Sequence, residues 1–320
     1  MEVSVLRAGL HTTVQDLGRV RHRAAGVPRS GAMDAFALRI ANALVGNADD
    51  AAGLEFTQTG PELEFSRPTW IALGGAECEG LRPWRSRRVE AGERLAIGRC
   101  VRGVRGYLAV AGGFQTEPVL GSRSTFLRGC FGGLQGRLLR DGDVLPVVDL
   151  SCDRVPRERP DAAGSWRIDP RILPAYGPEV TVRVLPGAQV AEFPGAWTGR
   201  AFKVSPHSDR MGVRLIGEPV VRSTGEELLS SAVTPGTVQV PPDGQPVVLM
   251  ADAQTIGGYP QLGHVISVDL PLVAQLAPGD TLRFEIVTLA EAHRLLVTRE
   301  RAIALLKQGL AEKLANEGRA

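Results

Sequence analysis

"RLAIGRCVRGVRGYLAVAGG", Arg94–Gly113, decides the fold class of this chain. Its two apolar runs, Leu95–Ile97 and Tyr107–Ala111, are short and each is closed by glycine, which is the spacing of strands rather than of helices. The same punctuation surrounds WIALGG (Trp70–Gly75) and VLPVV (Val144–Val148), so the region from Leu54 to Val148 reads as successive strands. The 38 Gly and 22 Pro are spread along a chain that is 43% hydrophobic, and they act as turn punctuation rather than as a mark of disorder. A mainly β fold with a few helices follows.

Outward from this region, DAFALRIANALVGN (Asp34–Asn47) predicts a short helix with Asp34 as N-cap, Phe36, Ile40, Ala43 and Leu44 on one stripe, and Gly46 at its end. Such a helix should cover a sheet. One turn pattern occurs three times, in VEAGERLAI (Val89–Ile97), LRDGDVLPV (Leu139–Val147) and LAPGDTLRF (Leu276–Phe284). In each, the glycine can take positive φ and the acidic residue can accept from nearby backbone N–H groups. The pattern is ordinary β-turn chemistry, and it also hints at two similar β units.

At 320 residues the chain has room for two domains. Ser151–Gly177, rich in Arg, Pro, Asp and Gly, is the weakest stretch, so the reading is an N-terminal β unit over 1–160 with one short helix and a C-terminal β unit over 178–289 that starts with TVRVLPG. An amphipathic helix over 290–320 closes the chain, with Leu295, Leu296, Ile303, Leu306, Leu310 and Leu314 on the side expected to pack on the protein's own body.

Lys and Arg number 37 against 35 Asp and Glu, too even a balance to hold nucleic acid or an anionic membrane. Cys78, Cys100, Cys130 and Cys152 form no CxxC pair and no His stands at ligand spacing, so no metal site is expected. Without a leader-like start or a membrane-length apolar run, a soluble cytoplasmic protein with reduced thiols is the expectation.

Several stretches are richer in polar groups than folding alone requires. LHTTVQDLGR (Leu10–Arg19) offers Thr13, Gln15 and Asp16, VPRSGAMD leads into Asp34, and VLGSRST carries Ser122, Arg123, Ser124 and Thr125. SPHSDRMG holds His207, Ser208, Asp209 and Arg210, which read either as a turn with a surface Arg, or as a general base with a guanidinium able to grip a carboxylate. In QVPPDGQPVVLMADAQTIGGYP (Gln239–Pro260) an apolar strand is flanked by Gln239, Gln245, Gln254, Gly257, Gly258 and Tyr259. The glutamines suit a planar amide, and tying loops to strands is the alternative. No GxxxxGK[ST] loop exists, so a complete ATP site within this chain is not expected.

TTVQDLGR, GAMDAFALRIANALVGN, SPHSDRMGVRL, ELLSSAVTPGTVQVPPDGQPVVLMADAQTIGGYP and VAQLAPGD, in this order, resemble the carboxyltransferase subfamily A/B family, over nearly the whole chain to about residue 293. That family includes the C-type subunit of bacterial 5-oxoprolinase, KipA and the carboxyltransferase region of urea carboxylase. The resemblance implies two cyclophilin-like β-barrel units and partner subunits of the B (KipI-like) and A type. It further implies ATP-driven opening of 5-oxo-L-proline to L-glutamate, with ATP and Mg bound by or shared with a partner. In that chemistry His207 or Asp209 would be the base, Arg210 would hold the carboxylate, and Gln239, Gln245, Gln254 and the Gly257 and Gly258 N–H groups, beside Tyr259, would hold the amide. Thr13, Gln15, Asp16 and Asp34 form a possible second cluster. The other implied activities are a biotin-dependent carboxyltransferase subunit and a KipA-type regulator that binds a KipI-like inhibitor. The chain departs from the family pattern at His207, Ile256 and Gln261, positions where Gln, Thr and a cation are frequent.

Overall fold

Period-two burial explains the first half of the chain. In the computed structural model the apolar runs become β1 (Glu2–Arg7), β2 (Thr12–Gln15), β3 (Gly53–Thr57), β4 (Glu62–Phe65), β5 (Thr69–Cys78), β6 (Ser86–Val89), β7 (Arg94–Ala96), β8 (Cys100–Val110) and β9 (Val144–Pro146), with helix α1 (Ala35–Leu44) between β2 and β3. The structure describes residues 1–148, 168–195 and 197–317, residues 313–317 as backbone only. Most of the expected boundary at 151–177, together with Cys152, lies outside the described residues.

The strands form a sheet ordered β7-β4-β1-β9 and another ordered β2-β3-β8-β5-β6. Val3, Val5, Leu54, Phe56, Leu63, Phe65, Ile71, Leu73, Leu108 and Val110 fill one core. On the other face of the five-stranded sheet stand the small residues Ala72, Ala109 and Gly74, with Tyr107 opposite Gly74. Small residues let α1 lie close, and a Cβ on Gly74 would stand 2.3 Å from the Ala37 carbonyl oxygen. Strands covered on both faces read as continuous apolar runs, which is the appearance of IAL and YLAVA in the sequence. Asp34 caps α1 as expected, its side chain accepting from the Ala37 N–H at 2.9 Å.

The second half of the chain supplies β10 (Glu179–Pro186), β11 (Phe202–Val204), β12 (Gly212–Ile216), β13 (Ser231–Ala232), β14 (Thr237–Gln239), β15 (Val247–Leu249), β16 (Ile256–Gly257), β17 (Gln261–Val265) and β18 (Thr281–Ile286), with α2 (Leu270–Ala274) and α3 (Leu289–Glu317). Seven of them close a barrel in the order β10-β17-β14-β15-β12-β11-β18, and β13 pairs with β16 outside it. Closure leaves no unpaired edge in that sheet. Val182, Val184, Phe202, Val204, Val213, Leu215, Val238, Val248, Leu262, Leu282 and Phe284 fill the barrel. The apolar run Val247–Ala251 is a strand only through Leu249, and the chain then turns.

All three turn repeats keep their expected chemistry. Gly92, Gly142 and Gly279 have φ of 74°, 87° and 90°. The following acidic residue accepts a backbone N–H in each: Glu93 from Glu90 at 2.9 Å, Asp143 from Arg140 at 2.7 Å and Asp280 from Ala277 at 2.7 Å.

The chain divides into two compact units, Met1–Gly18 with Asp34–Leu173 and Glu300–Ala320, and Arg19–Met33 with Pro174–Arg299. The division falls within α3. Its Ala292 and Leu295 pack with Ile266, Val268 and Val287 of the second unit. Ile303, Leu306 and Leu310 pack with Phe36, Ile40 and Leu44 of the first. Leu296 is partly exposed, because it turns away from both groups, and Leu314 lies beyond the described side chains. No helix among the described residues is long and apolar enough to cross a membrane.

Candidate functional site

In the second unit the amide-rich segment folds into one rim. Gln239, at the end of β14, is buried; its Nε2 donates to the Tyr259 carbonyl at 3.3 Å and its Oε1 accepts from Gln254 Nε2 at 3.5 Å. Gly257 lies against this pair, since a Cβ there would stand 2.7 Å from Gln239 Nε2. The backbone of Gly257 is in the β13–β16 ladder opposite Ser231. Gln254 is half-buried, and its Oε1 has no partner among the described residues. Beside the rim opens a cavity of about 590 Å³ lined by Gly258 and Tyr259, by Phe193, Val220, Val240 and Pro260, and by Arg222, Glu226, Glu227 and Asp243. The cation of that wall, Arg222, is held by Glu192 Oε2 at 2.5 Å and by the Glu226 carbonyl at 2.5 Å.

Gln245 does not join the rim. Its Oε1 accepts from the Gly217 N–H at 2.8 Å and its Nε2 donates to the Gly217 carbonyl at 3.1 Å, so both ends of the amide are used as a substitute for strand pairing.

The cluster from His207 to Arg210 is divided by the turn that holds it. Asp209 is exposed and its Oδ1 accepts the Met211 and Gly212 N–H groups at 2.8 and 3.1 Å. His207 is exposed, and neither it nor Asp209 lines the cavity. The turn reading accounts for the Asp209 side chain. Arg210 is buried rather than at the surface: its Nε and Nη2 meet Asp252 at 2.8 and 3.1 Å, and Nη2 also donates to the Gly31 carbonyl at 2.7 Å. A buried guanidinium paired with a carboxylate in this way has its charge compensated within the protein. Asp252, one of the polar residues after the apolar run, is therefore the partner of Arg210 within the protein.

In the first unit, sheet register assembles a second cluster from segments far apart in sequence. Asp16 accepts from Ser122 Oγ at 2.7 Å, from the Gly18 N–H at 2.7 Å, from the Arg123 N–H at 2.6 Å and from Ser124 Oγ. Gln15 Nε2 donates to Thr13 Oγ1 and to the Thr125 carbonyl, both at 3.1 Å, while its buried Oε1 has no partner among the described residues. Thr13 stands opposite Glu55 and Glu55 opposite Tyr107, one row across β2, β3 and β8. The phenol oxygen of Tyr107 accepts the Asp34 N–H at 2.8 Å. Burial, reinforced by the carboxylates of Glu55 and Asp34, pushes that phenol well above its ordinary pKa. Glu55, Arg105 and Tyr107, all buried, are functional candidates that the sequence motifs did not single out. In LEFTQ the Glu55 carboxylate takes the polar position of an ordinary apolar–polar alternation, so nothing in the sequence marks it as buried.

A closed β-barrel with an amide rim beside a cavity, joined in one chain to a two-sheet unit with a buried polar row, defines a β-rich protein of two units. The chain belongs to the carboxyltransferase domain, subdomain A and B, family, whose model matches residues 25–286. It is 41% identical over 326 residues to the C-type subunit of Escherichia coli 5-oxoprolinase, covering 98% of this chain and 99% of that protein. It is 33% identical to urea amidolyase of Lachancea kluyveri over 98% of this chain, and there it spans 18% of the relative. The crystal structure of Kluyveromyces lactis urea amidolyase superposes with a TM-score of 0.85 at 29% identity, over 95% of this chain and 20% of that one. The structure of TTHA0988 superposes with a TM-score of 0.76 at 37% identity, over 89% of this chain and 55% of that one.

Proposed function

We propose that this chain is the C-type subunit of an ATP-dependent 5-oxoprolinase that opens 5-oxo-L-proline to L-glutamate, and that it works with subunits of the B (KipI-like) and A type. The observation that carries the reading is the end-to-end identity of 41% with a protein named as that subunit of 5-oxoprolinase. Shared barrel architecture alone would not separate the activities found on one fold.

The amide rim gives the reading its chemistry. The half-buried Gln254 carboxamide, set by Gln239, offers a donor and an acceptor in one plane to a lactam, and Tyr259 and Gly258 line the neighbouring cavity. The wall carries three carboxylates and a guanidinium already held by Glu192. The carboxylate of 5-oxoproline therefore takes its counter-charge from a partner protein in this reading.

No α-helix start among the described residues fits an ATP phosphate site. A helix N-terminus attracts phosphate through free N–H groups. Here the first turn of α1 is occupied by the Asp34 carboxylate, α2 has five residues, and α3 carries Glu291 in its first turn, whose N–H is taken by Thr288 Oγ1 at 3.2 Å. ATP and its Mg belong to a partner in this reading, and no step on this chain is routed through them. The urea amidolyase relatives favour a second reading, a biotin-dependent carboxyltransferase subunit.

The test is 5-oxoproline-dependent ADP release by the three mixed subunits, each omitted in turn. Loss of activity when this chain is omitted is expected. ADP release indifferent to the chain or to 5-oxoproline would overturn the proposal, and inhibition by avidin would move it to biotin chemistry.

A further inference from the structure

We propose that Cys78 and Cys100 are a redox-active dithiol that closes into a disulfide by exchange with oxidised glutathione. The two thiols lie at the far ends of β5 and β8, directly opposite in the antiparallel ladder, with the sulfurs 3.3 Å apart. The next pair along is joined by the Glu79 N–H to the Arg99 carbonyl at 3.0 Å. That leaves Cys78 and Cys100 as a non-hydrogen-bonded pair, the kind in which opposite Cα atoms come closest and side chains face one another. Such a separation falls at the short end of what a disulfide spans.

The ladder can also give. Its register shifts between Gly75 and Glu77 and again between Glu77 and Cys78, so the sulfurs can close without disturbing the regular pairing from Ile71 to Gly75. Both side chains are half-buried against the core and neither is sealed from solvent. The hydrogen bond shared with Cys78 lowers the Cys100 pKa, against the opposing effect of burial. Cys100 is accordingly the attacking sulfur.

Cys100 thiolate attacks one sulfur of glutathione disulfide, forming a mixed disulfide and releasing one glutathione thiolate. Cys78 gives its proton to solvent and attacks Cys100 Sγ, forming the intramolecular bond and releasing the second glutathione thiolate. Two thiols are oxidised by two electrons and one glutathione disulfide is reduced to two thiols.

The test uses the full chain incubated with glutathione disulfide, acid-quenched, alkylated and mapped by mass spectrometry without reduction. Expected are a dithiothreitol-sensitive Cys78–Cys100 linked peptide in the wild type and, in Cys78→Ser, a glutathione adduct that accumulates on Cys100. Cys130, exposed and distant in sequence, reports that the reagent is active. Two free, alkylatable thiols at 78 and 100 while Cys130 carries glutathione would overturn the proposal, as would links formed only between chains.

Discussion

At the scale of single residues, the side chains that read most like reagents are mainly structural. Arg210 and Asp252 are a buried ion pair that also holds the Gly31 carbonyl. Removing one partner of such a pair leaves an uncompensated charge, so Arg210→Ala should lower stability by roughly 3–5 kcal/mol. Urea unfolding checks this, and Asp252→Asn placed in the same background should restore part of the loss. Gln254 makes one long hydrogen bond at the rim, so Gln254→Ala should leave stability within about 0.5 kcal/mol. In the assembled complex the same change should lower kcat by about 100-fold, in line with the loss of one positioned donor at a reacting carbonyl. Unchanged kcat would remove Gln254 from the reaction.

At the scale of elements, α1 is held by a cap, a close approach and Ile303, Leu306 and Leu310 of α3. Gly74→Ala drives a methyl into the Ala37 carbonyl and should destabilise by about 1–3 kcal/mol, read as a lower urea midpoint. In the turn before β9, Arg137 grips Asp143 through Nη1 and Nη2 at 2.7 and 2.8 Å, and this bond, more than the Arg140 N–H, holds the Asp143 carboxyl below its ordinary range. A carboxyl with a depressed folded pKa binds fewer protons folded than unfolded. Its stabilisation is complete above the ordinary Asp value of about 4 and is lost as pH falls through the folded value. Stability measured down from neutral pH should drop in that window, and Asp143→Asn should flatten part of the drop.

At the scale of the molecule, the near balance of 37 basic and 35 acidic residues leaves no long-range field, so the chain should pass through a heparin column at physiological ionic strength. Retention would reveal a localised basic face. Recognition of partners then falls to shape and to local groups, which fits a chain whose relatives are named as a subunit of an enzyme.

The sequence alone determined what depends on neighbours along the chain. Strand spacing, the Asp34 cap and the three glycine turns rest on φ preferences and hydrogen bonds spanning a few residues, and each stands in the structure where the residues place it. The family, too, was legible in ordered motifs. Whether a polar side chain serves a ligand or the fold was not legible, because it depends on what lies across the sheet. Asp16 meets Ser122 over 106 positions and Arg210 meets Asp252 over 42. Glu55 and Tyr107 share a row only through the register of β3 on β8. Period-two alternation says which side a residue faces, and only the pairing of distant strands decides what waits there.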